Sequence, residues 1–226
     1  MTEAGYRKPG VEILPLSKET LQDKVYRQIT NLILEGSIVP GEMVTVQSLA
    51  DAFGVSAMPV REALRRLTAA NALTVVSGRS IGIPPLSHAK LTDLRDVRSE
   101  VEAIAGAWAA KRIGNDEIEA LRLLLDTLEK ANAASDVKSY LHANHAFHFS
   151  IYRASGSESI LNIIENLWLQ VSPYFNMLHD SGNYTTANTH HQAMFDALCA
   201  RDENAIKIAI KADIEAAYDV LAELMN

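Results

Sequence analysis

The chain has 226 residues, 48% hydrophobic and 22% charged, with a formal net charge of -7: enough length for two modest domains with real cores, in the composition of an ordinary globular protein. No apolar run of about 18 residues is present, which excludes a membrane-spanning helix, and the opening MTEAGYRKPG lacks the apolar stretch of a secretory signal. The lone cysteine, Cys199, excludes an internal disulfide and a Cys-rich zinc module.

Residues 1–18 mix Gly, Pro and charge and are expected to form a flexible tail. From Glu19 the apolar residues Leu21, Val25, Ile29, Leu32 and Ile33 fall at helical spacing, with Gly36 as a stop. Pro40-Gly41 predicts a turn. A short helix over 46–53 is broken by Gly54, and another follows over 57–70. Two brief apolar stretches, 73–76 and 81–83, flank Gly78-Arg79-Ser80 and read as a hairpin. Pro84-Pro85 continues neither a strand nor a helix, so a linker is placed at 85–90, between a unit at 19–84 and an all-α unit at 91–226. Six amphipathic segments are expected beyond the proline pair: 89–113, 115–133, 136–155, 157–179, 185–200 and 202–225. The expected fold class is mainly α, a winged helix-turn-helix followed by a bundle of about six helices.

Charge divides along the same boundary. Residues 1–85 hold 9 Lys/Arg against 8 Asp/Glu, whereas residues 86–226 hold 12 against 20. The acidity belongs to the second unit, while Arg61, Arg65 and Arg66 cluster in the first. On the 57–70 helix Val60, Ala63, Leu64 and Leu67 form the inward face, leaving Met58, Arg61, Glu62 and Arg65 outward. Helix, tight turn and second helix is the arrangement that sets a recognition helix in the DNA major groove, with its N-terminal residues at the base edges. Ser56, Met58, Arg61, Arg65 and Arg66 are the expected contacts, because the arginine fork meets guanine edges and phosphates bidentately. Arg79, at the hairpin tip, is expected near the DNA backbone or the minor groove. The plainer alternative is a solvated arginine face.

The stretch LEGSIVPGEMVTVQSLADAFGVSAMPVREALRRL resembles the winged-helix signature of the GntR family of bacterial transcription regulators. LRDVRSEVEAIAGAWAAKR resembles the opening helix of the FCD-type ligand domain of that family's FadR-like branch. Two positions depart from the family pattern: Ala57-Met58 stands where Arg-Thr is common, which removes one arginine contact and offers Met58 to a thymine methyl. Ala69 and Ala72 replace a charged residue and a glycine.

In the second unit polar groups fall on apolar faces. Asn144 and His148, one turn apart, share a face with Val137, Leu141 and Ile151, whereas His142 points away and His145 lies to one side. His191 shares its face with Ala187, Phe195 and Leu198, and Asp213 is centred among Ile206, Ala209, Ala217 and Val220. A carboxylate in that setting requires a cation or strong donors. Asn144, His148, His191 and Asp213 are a sensible ligand set for zinc, nickel or manganese; the alternative is a metal-free hydrogen-bond network. The resemblance implies a metal held by an aspartate and a histidine four residues apart plus two further histidines. Asn144 matches the aspartate, His148 and His191 match the first two histidines, and Asp213 falls where the third is expected. It also implies a small organic acid effector against the metal or in its place, contacted here by Asn144, His148 and His191. A carboxylate effector wants a cationic partner, for which Arg98 is the candidate; the alternative for Arg98 is an interface or surface residue.

No H-E-x-x-H or Glu-x-x-His motif is present, and Cys199 is expected to fill core, so an enzyme is not supported. The expected protein is a cytoplasmic, ligand-responsive regulator that binds a pseudo-palindromic double-stranded DNA operator as a homodimer, without a membrane. The competing readings are a metal-dependent enzyme carrying a DNA tether, and a constitutive DNA-binding dimer with a structural cavity.

Overall fold

The computed structural model describes residues 20–77, 80–179 and 181–225. The expected tail at 1–18 and the Arg79 tip lie outside them. The first unit opens with α1 (Leu21–Leu34), whose N-cap Thr20 and Asp23 close a reciprocal capping box. Strand β1 (Met43–Thr45) leads into α2 (Val46–Phe53), which ends at Gly54 in the left-handed conformation (φ 64°). Helix α3 (Ala57–Ala69) follows, with Pro59 in its first turn, where a missing N–H costs nothing. Val60, Ala63, Leu64 and Leu67 are buried against α1 and α2, as their spacing predicts. Strands β2 (Thr74–Ser77) and β3 (Ser80–Gly82) complete an antiparallel sheet in the order β1-β3-β2. Strand β1 is absent from the sequence reading because three residues carry no alternation; pairing with β3 creates it.

The second unit holds α4 (His88–Arg112), α5 (Asn115–Ala133), α6 (Val137–Ala154), α7 (Glu158–Val171), α8 (Asn183–Cys199) and α9 (Glu203–Leu224). Two expectations are corrected. Helix α4 starts at His88 because the Ser87 side chain accepts from the Lys90 N–H, so half of the expected 85–90 linker is helical. The expected 157–179 helix stops at Val171; Pro173 withholds an N–H, and a 3-10 helix, Ser172–Leu178, replaces the last turns. Cys199 is exposed at the end of α8 rather than in the core.

Helix α4 runs antiparallel to α9, tied by Arg95 to Glu215, by Glu100 to Lys211 and by Lys111 to Glu203. The helices approach closely at Gly106, where a Cβ would lie 2.4 Å from Ile210 Cδ1. Among the described residues no helix is long and apolar enough to cross a membrane.

The first unit docks on the second through the end of α1. Asn176 Nδ2 donates to the Gly36 carbonyl at 2.9 Å, the Tyr174 hydroxyl donates to the Pro84 carbonyl, and His142 Nδ1 lies 3.1 Å from Glu35 Oε1. Gly36 has φ +66°, and a Cβ there would meet Asn176 Nδ2 at 2.5 Å and Leu141 Cδ1 at 2.9 Å. Gly36→Ala is therefore expected to cost about 1–3 kcal/mol through backbone strain, read as a lower midpoint in chemical denaturation.

Candidate functional site

The polar groups that the sequence sets on apolar faces converge at the centre of the bundle. Helix α6 supplies His148, α8 supplies His191 and α9 supplies Asp213. The two Nε2 atoms are 3.1 Å apart, and Asp213 Oδ2 and Oδ1 lie 3.5 Å from His148 Nε2 and 3.7 Å from His191 Nε2. Both imidazoles are buried. The 3.1 Å between the two nitrogens matches an edge of a coordination polyhedron with bonds of about 2.1 Å, whose edges run about 3.0–3.4 Å, and the Asp213 oxygens stand slightly farther out.

A chain of hydrogen bonds aims His148. Glu102 on α4 has no exposed surface; it accepts from Arg98 Nε at 2.6 Å, from Trp168 Nε1 at 3.1 Å and from the Tyr152 hydroxyl. With its proton committed to the carboxylate, the Tyr152 oxygen is left to accept from His148 Nδ1, 3.1 Å away. His148 then keeps its Nε2 lone pair, and that atom faces His191 and Asp213. This is how an outer group fixes the tautomer of a ligating histidine. His191 has no such support, since its buried Nδ1 finds no partner among the described residues.

The titration behaviour follows from burial. His148 falls well below the usual histidine range, through burial and then the neighbouring His191 and Arg98. Burial first, then His190, takes His191 down to about 3. Asp213 is pushed up to about 7 by burial, against the opposing charge of Arg98 and with the support of Glu102. Two neutral imidazoles offer lone pairs to a cation, and a cation beside Asp213 would stabilise the ionised carboxylate that burial disfavours.

Asp213 and His148 open on a cavity of about 30 Å³ that Arg98, Asn144, Tyr140, Trp168 and Phe175 also line. The expected residues Arg98, Asn144, His148 and Asp213 thus share one wall, and His191 stands behind it. Arg98 is not a free cation: it is paired to Glu102 and lies over the Trp168 ring, 5.3 Å from its centre. Sequence reasoning missed Glu102, Tyr152 and Trp168; Arg98 and Glu102 stand four apart, a spacing that a solvated pair on a helix shares. His142 is exposed, as its helical angle predicts, while His145 is largely buried and lowered to about 4 by burial and by Arg153.

In the first unit Arg61 lies with Thr45, Val46, Gln47, Ala57, Val75 and Ile81 along an open groove between α2, α3 and the sheet. Thr45 and Gln47 join this surface without having been anticipated, because their position depends on β1. Ser56 caps α3 without a side-chain cap bond, and Met58 is 65% exposed. Arg65 is exposed and paired to Glu62 at 2.6 Å. Arg66 is set apart from this group: it reaches Asp23 of α1 at 3.3 Å and stacks 3.8 Å over the Tyr26 ring. Its place in the string RRL suggests DNA, but its helical angle turns it onto α1.

Residues 21–83 match the gntR family of bacterial regulatory proteins, and residues 93–216 match the FCD domain. The chain belongs to this family, with the two-part arrangement of its FadR-like branch. It is a DNA-binding transcription regulator and not an enzyme. It is 28% identical to the HTH-type transcriptional regulator McbR of Escherichia coli over 86% of this chain and 89% of that protein. With the transcriptional repressor GlaR of the same organism the identity is 30%, over 78% of this chain and 84% of the relative. The solved structure of Escherichia coli McbR/YncC superposes with a TM-score of 0.84 at 25% identity, covering 92% of this chain and all of that one.

Tyr152→Phe leaves His148 Nδ1 without its acceptor and Glu102 without one donor, both in the core. The expected loss is about 1–3 kcal/mol of stability, measured by chemical denaturation in the presence of a chelator.

Proposed function

We propose that this regulator is ligand-responsive: a homodimer whose winged helices hold the two halves of a pseudo-palindromic operator, while the helical domain binds a divalent metal and a small organic acid. The observation that carries the reading is the convergence of His148, His191 and Asp213 from three helices, beside a cavity that His148 and Asp213 line, in a chain whose other end reads DNA. Imidazole and carboxylate donors suit zinc, nickel or manganese. His148 Nε2, His191 Nε2 and an Asp213 oxygen would hold the ion, with Asn144, one turn from His148, as a further oxygen donor. The ion would supply a fixed positive charge, and the carboxylate of the effector would be drawn to it between Asn144 and Arg98. Repression, the output that GlaR's name states of GlaR, is the direction of control we carry over.

On the DNA side Arg61, Met58 and Ser56 would meet the major groove at the start of α3, with Arg65 exchanging its exposed bond to Glu62 for a phosphate at little cost. Two recognition helices must stand about one helical turn of DNA, roughly 34 Å, apart to read two half-sites. Effector binding regulates only if it favours one separation over another.

Two experiments test the two ends separately. Binding of zinc to chelator-stripped protein, followed by calorimetry, should displace the Asp213 proton. Affinity should therefore rise about tenfold per pH unit from pH 5 to 7 and level off above that; the histidines, already neutral there, add no slope. Asp213→Asn should bind more weakly and lose the dependence, and a flat profile in the unaltered protein would sink the assignment. For DNA, Arg61→Ala should weaken operator binding by about 1–3 kcal/mol, whereas Arg66→Ala should chiefly lower stability by loosening α1. Equal losses of affinity from the two would contradict the division.

A further inference from the structure

The cavity beside His148 and Asp213 measures about 30 Å³, room for about one or two waters. Pockets that hold small molecules run to roughly 300–1,000 Å³, and a divalent ion arrives hydrated. Neither fits the space as it stands, so one wall has to give way. The walls differ in how they are held. Arg98 and Trp168 are fixed to the buried Glu102, and the 3-10 helix is anchored on Gly36 and Pro84. Asp213, Ile214 and Ala217 line the cavity from the middle turns of α9. Helix α8, by contrast, contributes Tyr184 and Ala187 from its start.

That start is lightly held. The side chains of Ser87, Asp136, Ser157 and Asp202 cap α4, α6, α7 and α9. The N-cap of α8 is Gly182 at φ 75°, which has no side chain to accept from the first N–H groups. Thr185 and Thr186 face solvent while Tyr184 is buried, so this turn is a single layer between cavity and water. Side chains hold it in place. The Tyr184 ring stacks on Tyr140, 3.8 Å between centres and 8° between planes, and its hydroxyl donates to the Phe175 carbonyl at 3.2 Å. The Tyr140 hydroxyl donates to Asn188 Oδ1 at 2.9 Å, with the Tyr184 carbonyl as second acceptor at 3.2 Å. On the outer side Asn132 Nδ2 donates to Thr185 Oγ1 at 3.1 Å. Further along, Met194, Ala197 and Leu198 keep the rest of α8, with His191, in the core.

We infer that the first turn of α8 is the lid of the site, and that Tyr184 swings off Tyr140 to pass the ion and the acid. The inference rests on the cation-site reading above and adds the way in and out. Such a lid is a kinetic gate. Tyr184 holds no ligand, so it sets the rates of entry and exit together and leaves the affinity almost unchanged.

Zinc alone is the probe, in the full-length protein: uptake by chelator-stripped chain and release to an excess of a coloured chelator give the two rates. Tyr184→Ala should raise both by about tenfold or more, the worth of one stacked pair and one hydrogen bond. Tyr184→Phe, which keeps the stack, should fall between it and the unaltered protein. The opposite arm pins the turn to α5. In a Cys199→Ser background, Asn132→Cys with Thr185→Cys is linked by a short bis-thiosulfonate reagent, and the control is the same variant with both thiols capped singly. The linked protein should exchange zinc at least about tenfold more slowly than the capped one, at equal affinity and equal helical circular dichroism. Linked and capped forms share one sequence, so a folding defect affects both alike. Equal rates in the two forms would overturn the lid, and so would faster release from Tyr184→Ala without faster uptake, since the ring would then merely hold the site together. Either result leaves the cation site standing. An unaltered protein that takes up no zinc would overturn both.

Discussion

Glu102 sits without exposed surface where α4 meets α6 and α7, and the chemistry of the helical domain is arranged around that buried charge. An ionised carboxylate in such a place is costly unless it is paired and fully hydrogen-bonded. Arg98, Trp168 and Tyr152 supply those donors from three helices. Because Tyr152 is committed to Glu102, it can only accept from His148, and so His148 must present a lone pair to His191 and Asp213. One electrostatic requirement on α4 thus dictates the protonation of an imidazole on α6. The same requirement occupies Arg98, so that residue contributes to the cavity as half of an ion pair rather than as an isolated cation.

The elements that wall the cavity are also those that hold the DNA-binding unit. Helix α6 places Leu141, Asn144 and His148 along the cavity and His142 against Glu35. The 3-10 helix places Phe175 and Leu178 on the cavity, and Tyr174 and Asn176 on Pro84 and Gly36. The tight fit at Gly36 leaves no room for a Cβ. In the proposed function a shift of either wall would be felt at the end of α1, and α1 packs on the recognition helix. Coupling of this kind requires two arrangements of the contact, which an effector then favours unequally.

Much of the fold was legible because the helices obey a 3.6-residue period and carry visible stops. The inward residues Val60, Ala63, Leu64 and Leu67, and the turn at Gly54, follow directly from that pattern. What escaped was set by tertiary context. Strand β1 exists only through its pairing with β3, and so Thr45 and Gln47 could not be assigned to the groove. Pro173 was in plain view, but the apolar periodicity of 157–179 masked the change from α to 3-10. Arg66 shares a string with Arg65 and only its angle separates them. At the site, the three convergent polar groups were readable as misfits on apolar faces. Glu102 was not, because an arginine and a glutamate four apart on a helix also describe a solvated pair.

The central claim is that His148, His191 and Asp213 form a cation site and not merely a hydrogen-bonded core. Native mass spectrometry of protein stripped with a chelator and then exposed to zinc, nickel and manganese in turn tests it most directly. The account predicts one ion retained per chain in the unaltered protein and none in a His191→Ala variant of unchanged helicity. Retention of no ion by the unaltered protein, or equal retention by the variant, would contradict it.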